Sequence, residues 1–565
     1  MHWSLAAFLW RNELIRAERL TTARPLLAAA LVFVMFACFF LALRSSDIGA
    51  VDGAVRCLEV FRRGRIFFHE NNHLLYPVNV LVWTRFLSHL GLGASNPAEF
   101  YALAQTMNCV AAAACLAMLF YLSLSLFSSF GLALGLVLGY GFSKAFLLHA
   151  TNSAEPVVGL FWSLLGMWFA SILVKRRSHL SVILSALCFS LAMATYQSMF
   201  FLAPAAIALI WQGGYFRDGG AFFSRARLLE FGEFILTGVV ACAVLFGWAY
   251  WHQGMKSPDE LIGRFFAHGD ARVYLSLTMG KLWNMPVGLV RNIFPVLSYF
   301  AGIRRLLIGP KFSLVSFLLA LVSTFAFLFA ALRRLIAEWG SLAAPVRAAT
   351  VAAAVGFAFT LIPALVWDPQ YDKLWLQPLA CLAFLVASSR MVPDLDRRAR
   401  SPLPKVLPAL LLCGLAMNLV WLTRSHYSKT SEMSEAQRLA GVIGARDLLV
   451  GDWDEISTLY GYGWSADGRF ISFPTEAVLH GFDSVARLRE AIWETQKIGG
   501  HVYFLSLLDM PRAIWDSSLG ARCGVPYSEM DFYREHSRVR ELFHSKSSQV
   551  SLRQLDAPDS SATSQ

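Results

Sequence analysis

The stretch Ser45–Gly53, SSDIGAVDG, follows the first apolar segment of the chain and carries two carboxylates, Asp47 and Asp52. A second polar stretch, His69–Pro77, reads HENNHLLYP and leads into the next part of the chain. Charged side chains where an apolar span ends need a reason, because apolar side chains cost less there. The loop that holds both stretches is therefore the first place to look for chemistry.

The segments around this loop predict a polytopic α-helical membrane protein. Hydrophobic residues make up 56% of the chain and charged residues 15%, whereas soluble domains are about a quarter charged. About eleven apolar runs approach the length of roughly twenty residues that a spanning helix needs. These runs are Pro25–Leu43, Tyr101–Phe127, Gly131–His149, Pro156–Leu173, Leu180–Tyr196, Ser198–Trp211, Phe234–Trp251, Phe312–Leu332, Ala348–Trp367, Leu374–Ala387 and Val406–Leu422.

Basic residues orient the spans. Residues Met1–Arg24 predict an amphipathic helix on the cytoplasmic face, and an odd number of spans then places the C-terminus outside. The apolar run Met285–Ile303 is interrupted by prolines and Arg291, so we interpret it as interfacial or re-entrant. We expect a bacterial inner membrane protein with external loops 44–99 and 252–310. The predicted cytoplasmic loops are short and basic, as the positive-inside rule requires: Lys175–Arg177, Arg217–Arg227, Arg333–Arg347 and Arg390–Lys405.

Beyond the predicted transmembrane domain, 25–423, the composition becomes that of a soluble domain. Alternating strands and helices predict a small external α/β domain over 424–556 with a mainly parallel sheet. The tail 557–565 is predicted to be disordered. Two cysteines outside the apolar runs, Cys57 and Cys523, leave open one disulfide that the sequence does not favour. The strands are Leu448–Gly451, Phe470–Phe473 and His501–Leu505, and the helices are Ser434–Ile443, Ser484–Lys497 and Met510–Leu519.

Three carboxylates are candidate catalytic groups: Asp52, Asp47 and Glu155. Asp52 begins a predicted amphipathic helix whose polar side carries Arg56 and Glu59, and an ionised carboxylate can accept the proton of an attacking hydroxyl. Asp47 competes for that role. Glu155 precedes a proline at the start of a span. Both Asp52 and Glu155 also fit a structural role, because helix N-termini stabilise anions.

Polar residues near these acids are candidate substrate-binding groups. In the first loop they surround two histidines that could also hold a metal, although that spacing is a weak metal signal without a helix to orient it. Cations in the later external segments suit an anionic ligand, or else lipid headgroups. No basic surface with interleaved aromatics indicates nucleic acid. The candidates are His69, Glu70, Asn72, His73, Tyr76, Tyr196, Gln197, Arg264, His268, Arg272, Lys281, Arg291 and Lys373.

Residues 25–215 resemble the GT-C superfamily of membrane glycosyltransferases. The closer likeness is to members similar to protein O-mannosyltransferases and aminoarabinose transferases. Asp52-Gly53 with the following helix resembles the acid of their first loop, and His73–Pro77 resembles their His/Pro-rich segment. Ala154–Val157 resembles the acidic turn after their third span, and Tyr196–Met199 resembles a His-Gln pair.

The resemblance implies an inverting transfer of a sugar. Asp52 would deprotonate an acceptor hydroxyl, on a glycan, lipid or protein, which attacks a sugar carried by polyprenyl phosphate. Basic external residues would hold the departing phosphate. The implied partners are that donor, the acceptor and membrane lipids. No cofactor is expected, and a divalent metal is allowed but not indicated.

The sequence also departs from the family. The Asp-Glu pair of the O-mannosyltransferases is Asp52-Gly53 here, and the proline pair is His73-Leu74. These departures leave the acceptor class open. A transporter or flippase is the main alternative, and it predicts broken spans with buried ionisable residues. A polysaccharide polymerase or ligase and a structural subunit are further alternatives.

Overall fold

The computed structural model describes residues 25–44, 51–64, 73–217, 223–253, 277–294, 311–337, 339–369, 371–390, 414, 416–423, 432–452, 455–465, 469–544 and 549–556. The predicted N-terminal amphipathic helix and the predicted disordered tail lie outside these ranges.

Within the described residues, the apolar runs that the sequence predicted as spans are largely helical, including 416–423 of the last one, but the run Gly131–His149 is interrupted at Phe142-Ser143. Short 3₁₀ turns cover Gln197–Leu202, Trp339–Ser341 and Asp372–Trp375. The helices are α1 (Pro25–Ala42), α2 (Val51–Arg63), α3 (Leu75–His89), α4 (Pro97–Phe127), α5 (Phe130–Gly141), α6 (Lys144–Thr151), α7 (Glu155–Lys175), α8 (His179–Thr195), α9 (Ala203–Arg217), α10 (Arg225–Gln253), α11 (Met279–Ile293), α12 (Lys311–Ala337), α13 (Ala344–Val366) and α14 (Leu376–Arg390).

Among the described helices, six are long and apolar enough to cross a membrane by length and composition. A further pair, α5 and α6, passes the same criterion together but is bent by 72° at Phe142-Ser143. Helices α8 and α9 are apolar but shorter. The number of spans, about eleven, stays a prediction. The six are Pro25–Ala42, Pro97–Phe127, Glu155–Val174, Arg225–Ala249, Ala320–Ala337 and Ala344–Val366.

The apolar run Met285–Ile303, which was interpreted as interfacial or re-entrant, begins within α11. That helix has fifteen residues and contains Pro286, and its length falls short of a span of about twenty residues. The rest of the run, 295–303, lies outside the described residues.

The chain forms two compact units. The described residues of Met1–Arg44, Phe68–Val78 and Gln105–Arg424 belong to one unit. Those of Ser45–Phe67, Asn79–Ala104 and Ser425–Gln565 belong to the other. Much of the first loop therefore clusters with the C-terminal residues, whereas it was predicted to belong to the transmembrane domain.

The amphipathic helix predicted after Asp52 is present as α2, but its polar side differs from the expectation. Arg56 and Glu59 are buried, and Glu59 pairs with Arg63 at 3.0 Å. Helix α2 packs against a C-terminal helix, Glu455–Gly463. Arg62 donates to the Gly461 carbonyl oxygen at 3.1 Å, where a cation complements the carboxyl end of a helix dipole. Two sides of α2 are therefore used in packing.

The C-terminal residues form a five-stranded sheet in the order β2-β1-β3-β5-β4. Strand β1 pairs in parallel with β2 and β3, as predicted, whereas β5 pairs antiparallel with β3 and β4. Cys57 and Cys523 are not joined by a disulfide. The strands are β1 (Leu448–Gly451), β2 (Phe470–Ser472), β3 (Val502–Leu505), β4 (Ser537–His544) and β5 (Gln549–Leu555). The helices are α15 (Glu432–Val442), α16 (Glu455–Gly463), α17 (Phe473–His480), α18 (Asp483–Lys497), α19 (Arg512–Trp515), α20 (Ala521–Cys523) and α21 (Asp531–Glu535).

Candidate functional site: a buried ionic cluster

Glu155 and Lys373 form a buried ion pair. Glu155 begins α7, directly before Pro156, and its side chain is fully buried. Lys373 comes from the 3₁₀ turn between α13 and α14, and its side chain is 4% exposed. The Lys373 Nζ to Glu155 Oε2 distance is 3.6 Å. A charged side chain is tolerated in the interior only when it is paired or hydrogen-bonded. Each of these two residues therefore stabilises the other in its buried position.

A second pair lies beside the first. His149 Nε2, near the end of α6, is 3.2 Å from Asp372 Oδ1, in the same 3₁₀ turn as Lys373. Burial raises the pKa of Asp372, but the hydrogen bond from His149 and the charges of His149, Lys144 and Lys373 outweigh it. The net effect lowers the pKa of Asp372 below its ordinary value. Asp372 is therefore held as a carboxylate.

Lys144 and Arg291 add two buried cations to this group. Lys144 is the first residue of α6, after the bend at Phe142-Ser143. Arg291 lies near the end of α11, which packs against both α6 and the 3₁₀ turn. The contact is close, because a Cβ at Gly288 would lie 1.9 Å from the Pro369 carbonyl oxygen. Only glycine lets α11 approach the turn this closely.

We call Lys144, His149, Glu155, Arg291, Asp372 and Lys373 the ionic cluster. It holds three basic side chains against two carboxylates, so its formal charge with all five ionised is +3 − 2 = +1 before His149 is counted. Buried charge of one sign favours a ligand of the other sign. The cluster is therefore suited to an anion.

The backbone that carries the cluster is fixed by a polar network. The Tyr76 hydroxyl is 2.6 Å from Ser153 Oγ and 3.3 Å from Asn108 Oδ1. Asn108 Nδ2 donates to the carbonyl oxygens of Ala154 and His149, at 2.5 Å and 3.4 Å. These bonds satisfy the chain between α6 and α7, where a bilayer offers no water to do so. Tyr76 was predicted to bind substrate, but its hydroxyl bonds to side chains of the protein itself.

An apolar cavity of about 400 Å³ adjoins the same elements. Its walls include Phe327 of α12 and Leu382 of α14, and one end is formed by Tyr140, Ser143 and Ile293. Tyr140 donates to the Leu376 carbonyl oxygen at 3.0 Å, so the start of α14 lies at this end of the cavity. Arg390, at the far end of α14, borders the opposite end. At the first end, Ser143 directly precedes Lys144 in the chain, and Ile293 lies two residues after Arg291.

One wall of the cavity is a face of α5 with glycine at three successive turns, Gly131, Gly135 and Gly139. A Cβ at any of the three would meet nothing within 4 Å. The glycines therefore widen the cavity and do not serve close packing.

The fold is similar to that of ArnT. ArnT from Cupriavidus metallidurans bound to undecaprenyl phosphate matches over 93% of this chain and 97% of its own, with 11% identity and a TM-score of 0.51. The apo structure of the same protein matches over 97% of this chain and 98% of its own, with 11% identity and a TM-score of 0.53. The resemblance to the GT-C fold is thereby confirmed. No protein-family model matches the chain, and no curated protein matches it by sequence.

The structure brings together Glu155, Arg291 and Lys373 from the residues that the sequence singled out. His73 stacks on Tyr196, with ring centroids 5.3 Å apart. Gln197 begins the 3₁₀ turn after α8. The Lys281 amine donates to the Val366 carbonyl oxygen.

Asp52 is the second residue of α2, at its N-terminal end. Asp47, His69, Glu70, Asn72, Arg264, His268 and Arg272 lie outside the described residues.

Sequence reasoning missed Lys144, His149 and Asp372 as members of the site. Lys144 and His149 fall within one predicted span, which is where an ionisable residue is least expected. The position of these two residues inside an apolar run was a signal that could have identified them as site residues. Asp372 stands beside Lys373 in a short external turn, and nothing local distinguishes it from a solvated turn residue.

Proposed function

We propose that this protein is an integral membrane glycosyltransferase of the bacterial inner membrane. It transfers a sugar from a polyprenyl-phosphate-linked donor to an acceptor hydroxyl on the external face, with inversion. The observation that carries the proposal is the ionic cluster with its net positive charge, placed beside an apolar cavity. The similarity in fold to ArnT, which was solved with undecaprenyl phosphate, supports the choice of donor.

The cavity suits the hydrocarbon part of such a donor. Apolar burial contributes about 25 cal/mol per Å² of covered surface, and a chain of isoprene units offers only apolar surface. The open glycine face of α5 leaves room for its methyl branches. A volume of about 400 Å³ fits part of a long polyprenyl chain, and the rest would lie in the bilayer.

The ionic cluster suits the phosphate. Lys144, Arg291 and Lys373 are the cations, and a phosphate would replace the carboxylates as their strongest partner. When the bond from sugar C1 to the phosphate oxygen breaks, negative charge grows on that oxygen, and fixed cations stabilise it. Glu155 and Asp372 would hold Lys373 and His149 in place before the donor arrives.

Asp52 is the proposed general base, with Asp47 as the alternative. The dipole of α2 favours the ionised carboxylate at its N-terminus. The acceptor oxygen attacks C1, its proton passes to the carboxylate, and the phosphate leaves from the opposite side of the sugar. Inversion follows from this single displacement. The reaction as proposed needs no cofactor.

A transporter or flippase of lipid-linked or small polar substrates is the second candidate. The observation that favours it is the 72° bend between α5 and α6, with Lys144 and His149 buried after the break. Broken helices with buried ionisable groups are typical of secondary transporters. Where the transported substrate is a lipid-linked sugar, both candidates bind the same class of lipid, so cleavage of the donor decides between them.

The experiment uses the purified protein in proteoliposomes with undecaprenyl phosphate carrying glucose, mannose or arabinose, together with a membrane extract as the source of acceptor. A glycosyltransferase produces free undecaprenyl phosphate and a glycosylated acceptor, both measured by mass spectrometry. Asp52→Asn should abolish this product, and Arg512→Ala serves as a matched surface control. Movement of intact donor between leaflets without cleavage would replace the proposal with the transporter.

A further inference from the structure

Asn418 connects the ends of two helices next to cations of the ionic cluster. It lies in the helical segment 416–423, and its side chain is fully buried. Asn418 Nδ2 donates to the Phe142 carbonyl oxygen and to the Ile293 carbonyl oxygen, both at 2.7 Å. Phe142 caps the end of α5 before the bend, and Ile293 is the last residue of α11. One amide group therefore joins two helix ends.

Carbonyl oxygens at the end of a helix need a partner from elsewhere. The last carbonyl groups of a helix have no N–H of the same helix to accept from, and a bilayer offers no water in its place. Asparagine suits this position, because its amide nitrogen carries two hydrogens and can donate to two acceptors. The opposite orientation of the amide would place its oxygen against both carbonyl oxygens, so the hydrogen-bond network assigns the nitrogen to this side.

The same helix ends position two cations. Lys144 lies two residues after Phe142 in the chain, and Arg291 lies two residues before Ile293. Both side chains are buried, and the charge of Arg291 acts on the Lys144 amine. Like charges repel each other, and the repulsion is stronger where water does not screen it. The two bonds of Asn418 hold the helix ends together against this repulsion and so set the separation of the two cations.

The segment that carries Asn418 is itself fixed in place. A Cβ added at Gly414 would overlap the ring of Phe294, the residue that follows α11. On the other side of Asn418, Leu422 belongs to the apolar core that also includes Phe146 of α6. The segment therefore packs on both sides of Asn418, so the position of the amide is fixed as well.

We propose that Asn418 is a positioning residue of the phosphate site. Its side chain has no exposed surface, so it acts on a ligand only through Lys144 and Arg291, whose separation it sets. This inference rests on the proposed function, in which those cations hold the phosphate of the donor, and deepens it. Charged hydrogen bonds to a phosphate depend on the geometry of their donors. Loss of the two Asn418 bonds should therefore lower the affinity for the phosphate group and not that for the lipid chain.

The test compares two probes that share one lipid chain. Undecaprenyl phosphate carries the phosphate group, and undecaprenol carries a hydroxyl in its place, so the ratio of their affinities measures the contribution of the phosphate. Both are titrated against the purified full-length protein in mixed micelles. Asn418→Leu removes both donors with a side chain of similar shape, and Asn418→Ser leaves a shorter side chain with one donor.

Ser185→Ala is the matched control. Ser185 is fully buried, and its hydroxyl on α8 donates to the Gly166 carbonyl oxygen of α7 at 2.9 Å. This bond also joins two helices, but neither helix carries a cation of the ionic cluster.

We expect the wild type to bind undecaprenyl phosphate more tightly than undecaprenol. Asn418→Leu and Asn418→Ser should each reduce that affinity ratio by about fivefold to tenfold, with the affinity for undecaprenol unchanged. Ser185→Ala should keep the ratio.

A double variant separates positioning from a general effect. Lys144→Met removes one of the two cations whose separation Asn418 sets, so the amide has little left to position. Adding Asn418→Leu to Lys144→Met should lower the ratio by less than about twofold, whereas the effects of independent sites combine in full.

Four results would overturn the positioning role while leaving the proposed function standing: an unchanged ratio in Asn418→Leu, an equal loss of affinity for both probes, the same reduction in Ser185→Ala, or a full further loss in the Lys144→Met background. An equal loss for both probes would mean that Asn418 only maintains the fold. If the wild type shows no preference for undecaprenyl phosphate, the cations do not hold the phosphate, and the proposed function and the positioning role are both wrong.

Discussion

Ion pairs of nearly equal length occur in two very different settings in this protein. In the ionic cluster, Lys373 and Glu155 are 3.6 Å apart and at most 4% exposed. In the C-terminal sheet unit, Arg512 and Asp516 are 3.4 Å apart, but their side chains are 76% and 54% exposed. Water screens the second pair and replaces either partner at little cost, whereas it cannot do so for the first. The distance between the charged atoms therefore does not predict which pair contributes more to stability, whereas the burial of the pair does.

The largest effect is expected for Lys373→Met. It removes the cation that lies 3.6 Å from the buried Glu155 carboxylate, and breaking a buried pair costs about 3 to 5 kcal/mol of unfolding free energy. Loss of one fixed cation from the phosphate site should lower turnover about a hundredfold. Denaturant unfolding in mixed micelles gives the first quantity, and donor consumption gives the second.

The double variant Lys373→Met/Glu155→Gln separates the two roles. Removing both charges should restore much of the stability, because the buried anion is removed together with the cation that faced it, but it should not restore activity. Activity that recovers together with stability would show that the pair is only structural.

Asp372→Asn should have the next largest effect and should change the pH dependence of stability. The folded state lowers the pKa of Asp372, so its stabilising contribution is complete above the ordinary aspartate pKa and is lost as pH falls through the lowered value. At neutral pH the variant should be less stable by about 2 kcal/mol, the contribution of a hydrogen bond to a charged group.

Unfolding measured from neutral to acid pH checks this sign. The wild type and Asp372→Asn should converge as the pH falls below the ordinary range of an aspartate. Curves that stay parallel across that range would contradict the assignment of Asp372 as a carboxylate bonded to His149.

Arg438→Ala tests an intermediate case. The Arg438 side chain is 42% exposed, and it bonds Glu435 at 2.7 Å and Glu541 at 3.0 Å, so it connects α15 to strand β4. A half-exposed network of this kind should contribute about 1 kcal/mol. Unfolding of the variant should show this loss, while donor consumption stays at the wild-type level.

Arg512→Ala should have the smallest effect. Surface pairs contribute between about 0 and 1 kcal/mol, so stability should change by no more than about 0.5 kcal/mol and activity should not change. A loss as large as that of Lys373→Met would contradict the ranking by burial.

The sequence predicted single members of the ionic cluster but not their partners. Glu155 and Lys373 were both candidates, for reasons that concern helix ends and external loops. Asp372 and His149 are 223 residues apart in the chain, and only tertiary packing brings the turn after α13 onto α6. A local sequence pattern cannot predict which distant charged residue will pair with a buried one.

The C-terminal unit shows the same limit. Strand β1 was predicted over its observed range, Leu448–Gly451, because a short apolar run that ends at a glycine indicates a buried strand. The hairpin of β4 and β5 was missed. Strand β4 is an edge strand with the sequence SRVRELFH, in which charged residues obscure the alternation.

The sequence predicted that α2 is a helix, but it did not predict that the polar side of this helix is buried. Amphipathic spacing identified one packed face, and it could not show that Arg56 and Glu59 would also be covered. The contact of α2 with α16 joins segments of the chain that lie some four hundred residues apart, since Arg62 and Gly461 differ by 399 positions. The sequence between them carries no signal of that pairing.

The central claim is that the protein transfers a sugar with Asp52 as the general base. The most direct measurement is to delete its gene in the host and compare glycans, lipids and glycoproteins by mass spectrometry. The account predicts that one glycoform disappears, that the wild-type gene restores it, and that Asp52→Asn does not. Full restoration of the missing glycoform by Asp52→Asn would contradict the account.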